Sequence, residues 1–129
     1  MELLLVISII AVLATVVFVS LDPVKRLADG RNSRRWNDVN NILTAVHSCI
    51  IDNDGVLADC GITDTSSHVL GTGDLDLSTD LAKYLKSMPQ DPKTGTAADT
   101  GYSIQADANN IVTVTADDAE NGETVEVSR

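Results

Sequence analysis

Glu2-Leu-Leu-Leu-Val-Ile-Ser-Ile-Ile-Ala-Val-Leu-Ala-Thr-Val-Val-Phe-Val-Ser-Leu21 is one carboxylate followed by 19 residues with no charge, proline or glycine. As a helix the apolar run is roughly 28 Å long, close to the thickness of a bilayer's hydrocarbon layer. Leu3, Leu4, Leu5, Val6, Ile7, Ile9, Ile10, Val12, Leu13, Val16, Val17 and Phe18 occupy every side of the wheel, so no polar face remains for water. Ser8, Thr15 and Ser20 can return their hydroxyls to carbonyls one turn back. A 129-residue chain is too small to wrap such a rod, which therefore belongs in lipid or inside an assembly.

Three readings compete for this segment. A cleaved secretory signal calls for a basic start, a shorter apolar core and a small-residue cleavage site, and the acidic start and long run disfavour it. A single-pass anchor fits the length. A helix stored in membrane that later packs against copies of itself fits the length and also Glu2, because a carboxylate at the edge of an apolar helix is costly in lipid and marks a function or a partner.

Glu2-Leu-Leu-Leu-Val-Ile-Ser-Ile-Ile-Ala-Val-Leu-Ala resembles the N-terminal segment of bacterial type IV pilins and of the related type II secretion pseudopilins. In that family a prepilin peptidase removes a short basic leader ending in Gly. The new N-terminus, usually Phe, is methylated, and a Glu follows four residues on, after a Thr-Leu-Ile-like step. Here Met1 stands directly before the Glu, and the family's leader and first mature residues are absent. The resemblance is close over residues 1–55 and holds in outline beyond. It implies a structural subunit of a type IV pilus, held in the inner membrane, then extracted by assembly machinery into an extracellular helical filament of identical subunits. Glu2 would neutralise the N-terminal amine of a neighbouring subunit, since a buried charge must be paired. Adhesion, twitching motility and DNA uptake are all family roles. A secretion pseudopilin is the near alternative, and a membrane-anchored extracellular binding module that never polymerises is the alternative of another class.

Charge is unevenly placed. Residues 1–35 hold five Lys/Arg and three Asp/Glu, a net of +2, which leaves −12 of the total −10 to residues 36–129. So acidic a head argues against a nucleic-acid surface built on phosphate neutralisation. Only four aromatics occur, so the core must be built mainly from Leu, Ile, Val and Ala and should lean on a staple or on neighbouring subunits. Cys49 and Cys60 read as a disulfide in an oxidising compartment. By the chain-entropy model a loop of this size contributes roughly 2–3 kcal/mol. Two buried free thiols are the plain alternative. Metal binding by His47, Cys49, Cys60 and His68 is a sharper one, although the spacing matches no familiar zinc pattern.

The expected class is α+β: a long N-terminal helix, apolar in its first half and kinked near Pro23, carrying a small globular head. Residues 1–23 form the filament-core or membrane helix and residues 24–129 the head. Pro23 removes a helix hydrogen bond and disfavours helical geometry just before it; Ser20-Leu-Asp-Pro23 also resembles the Ser-Leu-Asn-Pro of some pilins. Residues 24–52 should resume as an amphipathic helix with Trp36, Val39, Ile42, Leu43, Val46 and Ile50 on one stripe. Asp22 with Arg26, and Arg34 with Asp38, stand four apart and can pair. The cluster Lys25, Arg26, Arg31, Arg34 and Arg35 would by the positive-inside rule stay cytoplasmic. In the topology implied by the resemblance it lies outside and faces acidic neighbours in a filament, with a solvated face or lipid headgroups as the alternative.

Asp52-Asn-Asp-Gly55 reads as a helix-ending turn, because the downstream bidentate Glu of a calcium loop is missing. Residues 53–77 should be a loop. Ser78 or Thr79 can cap a short helix over 78–88 carrying Leu81, Tyr84, Leu85 and Met88, which Pro89 stops. Pro89-Gln-Asp-Pro92 then makes a stiff turn that resembles the family's pattern before the sheet. Three alternating strands over 101–128 should form an antiparallel meander on the helix stripe, with turns at Asn109-Asn110 and Asn121-Gly122. Asp117, Asp118, Glu120 and Glu123 make a weak calcium candidate, with a solvated acidic tip as the alternative; no other cofactor is indicated. No Ser/His/Asp grouping, phosphate loop or metalloprotease signature appears, and catalysis is not expected.

Overall fold

A computed structural model describes residues 2–129, so the expected boundary at residue 1 lies outside the described residues. The class is α+β. Helix α1 runs Glu2–Leu21 and α2 runs Pro23–Asp52; strands β1 (His68–Val69), β2 (Tyr102–Ala106), β3 (Val112–Ala116) and β4 (Val125–Ser128) follow. The strands form one antiparallel sheet in sequence order, β1-β2-β3-β4, which packs against α2.

The two helices meet at Asp22, whose φ of 40° and ψ of 72° are left-handed. Pro23 excludes the helical region for the residue before it and takes the first position of α2, where no N–H is needed. The expected kink near Pro23 is therefore a one-residue break.

Alternation decides which face of the sheet is covered. Tyr102, Ile104, Ala106, Val112, Val114, Ala116 and Val125 are buried in the core that the sheet shares with α2. Their neighbours Gln105, Glu126 and Ser128 are exposed, and Ser103, Thr113 and Thr115 are half-buried. From α2 come Val39, Ile42, Leu43, Val46 and Cys49, and from the intervening loop Leu70, Leu77 and Leu81. Tyr102 donates its hydroxyl to Asp38 Oδ2 at 2.7 Å, which fastens the sheet to the helix. Within the connection from Ala116 to Val125 that joins β3 to β4, Asn121 and Gly122 form a tight turn with positive φ at both centres (58° and 70°), closed by Glu123 N donating to Glu120 O.

Four expectations need correction. The sheet has four strands, because His68 and Val69 pair with Ile104 and Ser103 of β2, and Leu70 N beyond them donates to Tyr102 O. The segment 78–88 is a series of turns without a helix. Leu81 N and Leu85 N reach the carbonyls four residues back, but Ala82 N and Tyr84 N reach only three back, so no continuous ladder forms. The burial of Leu77 and Leu81 and the bonds from Lys83 and Tyr84 to Asp52 hold the segment instead. Trp36 is exposed, because the covered stripe runs through Asn32 and Arg35 to Val39. Asp22 does not pair with Arg26: its carboxylate accepts from Lys25 N, while Arg26 Nε donates to Leu21 O.

Cys49 and Cys60 form a disulfide with Cα atoms 6.0 Å apart, closing the end of α2 onto a short 3₁₀ turn at Ala58–Cys60. This removes both thiolates from the alternative metal set; His47 Nε2 instead meets Arg129 O at 3.1 Å. Replacing both cysteines by Ala should lower the stability of the head by about 2–3 kcal/mol. Equilibrium unfolding of the oxidised protein against the double variant checks this, and an unchanged midpoint contradicts it.

Candidate functional site

None of the 20 residues of α1 is buried. Leu3, Leu4, Leu5, Val6, Ile7, Ile9, Ile10, Val12, Leu13, Val16, Val17 and Phe18 are all exposed, at half or more of their surface. Ser8 Oγ donates to Leu4 O and Thr15 Oγ1 to Ala11 O, so these two hydroxyls need no water. Ala14 leaves a shallow apolar hollow walled by Ile10, Leu13, Val17, Phe18 and Leu21, of the kind that takes the side-chain ridge of another helix. Glu2 is the acidic residue of the first turn, where a helix end favours negative charge. Among the described residues one helix is thus long and apolar enough to cross a membrane.

Three carbonyls at the break at Asp22 find partners across it. Asp22 N donates to Val19 O, Arg26 N to Asp22 O at 3.2 Å, and Arg26 Nε to Leu21 O at 2.8 Å. These bonds replace part of the helical ladder that Pro23 interrupts.

Above the break, polar contacts fix the head to α2. Arg35 has no exposed side-chain surface; Nε and Nη2 reach the two oxygens of the equally buried Asp91 at 2.5 and 3.0 Å, and Nη1 reaches Glu120 Oε2 at 2.9 Å. Glu120 also accepts from Arg31 Nε at 2.6 Å and Lys93 Nζ at 2.9 Å. Asn32 completes the set, with Nδ2 on Glu120 O and Oδ1 accepting from Glu120 N. Asn121 Nδ2 donates to Asp29 Oδ1 and Lys25 O, so the hairpin tip clasps the first turns of α2.

Hydrogen bonds from Arg31, Lys93 and Arg35 hold the Glu120 carboxyl far below its usual range. At Asp91 burial pushes the carboxyl up, but Arg35 and the Lys93 and Thr94 amides win and lower it. Both stabilise the fold above the ordinary carboxylate range and lose that contribution only as pH falls through their lowered values.

These contacts revise two expectations. Of the basic cluster, Arg31 and Arg35 meet acidic groups of their own chain, whereas Lys25, Arg26 and Arg34 are exposed, Arg34 lying 3.8 Å from Asp38. Within the calcium candidate, Glu120 is taken by three cations, Asp117 accepts from Ser103, and Asp118 from Thr94. Among the described residues no group of three His, Cys, Asp or Glu is placed to hold a metal ion. The Arg35–Asp91–Glu120 set was missed in the sequence. Its signal is the phase of Arg35, four and seven residues before Val39 and Ile42 on the covered stripe.

Compared with protein-family models, curated proteins and solved structures, the chain finds no match. Its long apolar N-terminal helix, antiparallel sheet and disulfide are compatible with a pilin-like fold.

Arg35→Ala should destabilise the head by about 3–5 kcal/mol by stranding buried Asp91, whereas Arg34→Ala should cost under about 1 kcal/mol. Chemical denaturation of the two variants checks the contrast, and equal effects contradict it. Elsewhere on the head, His68 lies between Asp64 and Asp74, whose hydrogen bonds raise its pKa above 6.5. The resulting stability is fully present below the unfolded value and lost as pH rises through the folded one. An NMR titration should find a raised His68 pKa that falls in Asp64→Asn; an unshifted wild-type value contradicts the pairing.

Proposed function

We propose that the chain is a structural subunit of a type IV pilus, held in a bacterial inner membrane and polymerised through α1 into an extracellular filament of identical copies. The observation that carries this reading is a wholly exposed 20-residue apolar helix, opened by Glu2, on a head that closes its own core without it. A rod with no polar face needs lipid or sister rods around it. The acid at its edge favours the second, because a charge taken out of water requires an opposite charge as partner. The resemblance of residues 2–14 to the pilin segment adds Glu2 as the group that meets a neighbour's N-terminal amine, with Pro23 at the junction to the head. Processing by a prepilin peptidase and extraction by pilus machinery belong to the same reading. The enclosed core and the absence of a catalytic grouping in the sequence support a structural role rather than an enzymatic one.

The test is Glu2→Ala in the native host. Stranding or removing one partner of a buried ion pair costs about 3–5 kcal/mol, so filament yield in shear-released material should collapse while the head keeps its unfolding midpoint. Unaltered yield contradicts the role of Glu2, and membrane-bound monomers in the wild type point to an anchored module that never polymerises. Short stubs dependent on a secretion system identify a pseudopilin.

A further inference from the structure

We infer that the first turn of α2 is a collar for anionic lipid headgroups, in which Lys25 and Arg26 hold phosphates while Val24 and Leu27 rest against the acyl boundary. This rests on the membrane-held state of the subunit in the reading above. Twenty residues of α1 span about 30 Å, the thickness of the hydrocarbon layer, so Val24 to Leu27 stand about 4–9 Å beyond it, largely within the headgroup layer. The first buried residue of the helix is Ala28; although Asn121 Nδ2 reaches Lys25 O, the turn before it leaves Val24 73% and Leu27 64% exposed. A turn in which two exposed large apolar side chains flank two cations suits the interface between acyl chains and headgroups.

Lys25 and Arg26 make no ion pair among the described residues. Arg26 spends Nε on Leu21 O, which leaves its two terminal nitrogens for a phosphate. The nearby acids are engaged with their own chain: Asp22 Oδ1 accepts from Lys25 N at 3.4 Å and Asp29 Oδ1 from Asn121 Nδ2 at 2.6 Å. The chain as a whole carries −10, so an anionic surface repels most of the head, and this turn is where attraction can act. Arg34, about 20 Å past the end of α1, stands clear of the layer.

The single tryptophan, Trp36, serves as donor for the test. The full chain is reconstituted in vesicles of phosphatidylcholine with phosphatidylglycerol, carrying a trace of acyl-pyrene phosphatidylglycerol or acyl-pyrene phosphatidylcholine, and checked by flotation. Energy transfer to the anionic probe should exceed that to the zwitterionic one by about twofold at low salt. Lys25→Gln with Arg26→Gln should bring the two to parity, and Arg34→Gln should keep the preference. Equal transfer in wild-type protein that floats overturns the collar while leaving the filament reading standing. Equal loss in Arg34→Gln also overturns it, as does equal transfer accompanied by self-association that the double variant loses, which assigns the turn to a second copy. A chain that fails to float overturns the collar together with the membrane-held state.

Discussion

The apolar surface of α1 is uncovered by the chain that carries it, and this imbalance organises the molecule. Its head is complete: buried Leu, Ile and Val of α2, the loop and the sheet form one cluster. Among the described residues no buried side-chain nitrogen or oxygen lacks a hydrogen-bond partner. The head buries no residue of Glu2–Leu21: the rod breaks at Asp22 and Pro23, and burial begins only at Ala28. The same sequence thus makes two surfaces with different solvents, and function follows from how the first is satisfied.

Holding such a rod to a small head is a mechanical problem at its lower end. Apolar packing on α2 is dense from Val39 to Cys49 but thins toward Ala28. There the connection passes to Arg35, Asp91, Arg31, Glu120 and Asn32, joining one helix to two loops distant in sequence. Desolvating Arg35 and Asp91 costs several kcal/mol, recovered only in a bidentate geometry with every remaining group paired. The pair therefore specifies one docking of the loops as much as it stabilises it. The disulfide does the corresponding work at the upper end, where α2 stops at Asp52 and two left-handed residues, Asp54 and Gly55, turn the chain.

Much of this was legible from local chemistry. The apolar run and Pro23 announced α1 and its break. Strict alternation in Tyr102–Ala106 and Val112–Ala116 placed both strands within a residue, and the cysteine pair was found joined. Failures came where distant partners decide. Ser78–Met88 has helical spacing, but a helix so short pays for nucleation, and contacts to Asp52 and the core favoured turns. The two-residue strand His68–Val69 is too brief to read as a strand without β2 beside it. Trp36 was placed on the core stripe by hydrophobicity, while the buried position next to it went to an arginine whose partners lie 56 and 85 residues away. Composition alone could not reveal that Glu120 belongs to those cations rather than to a metal.

The most direct measurement is cryo-electron microscopy of material sheared from the surface of the source cell, at a resolution that shows helices. The expected result is a filament with α1 rods bundled along its axis, Glu2 buried between copies and the heads outermost. Isolated heads lacking α1, or single copies retained in bilayer with α1 ringed by lipid, would contradict it.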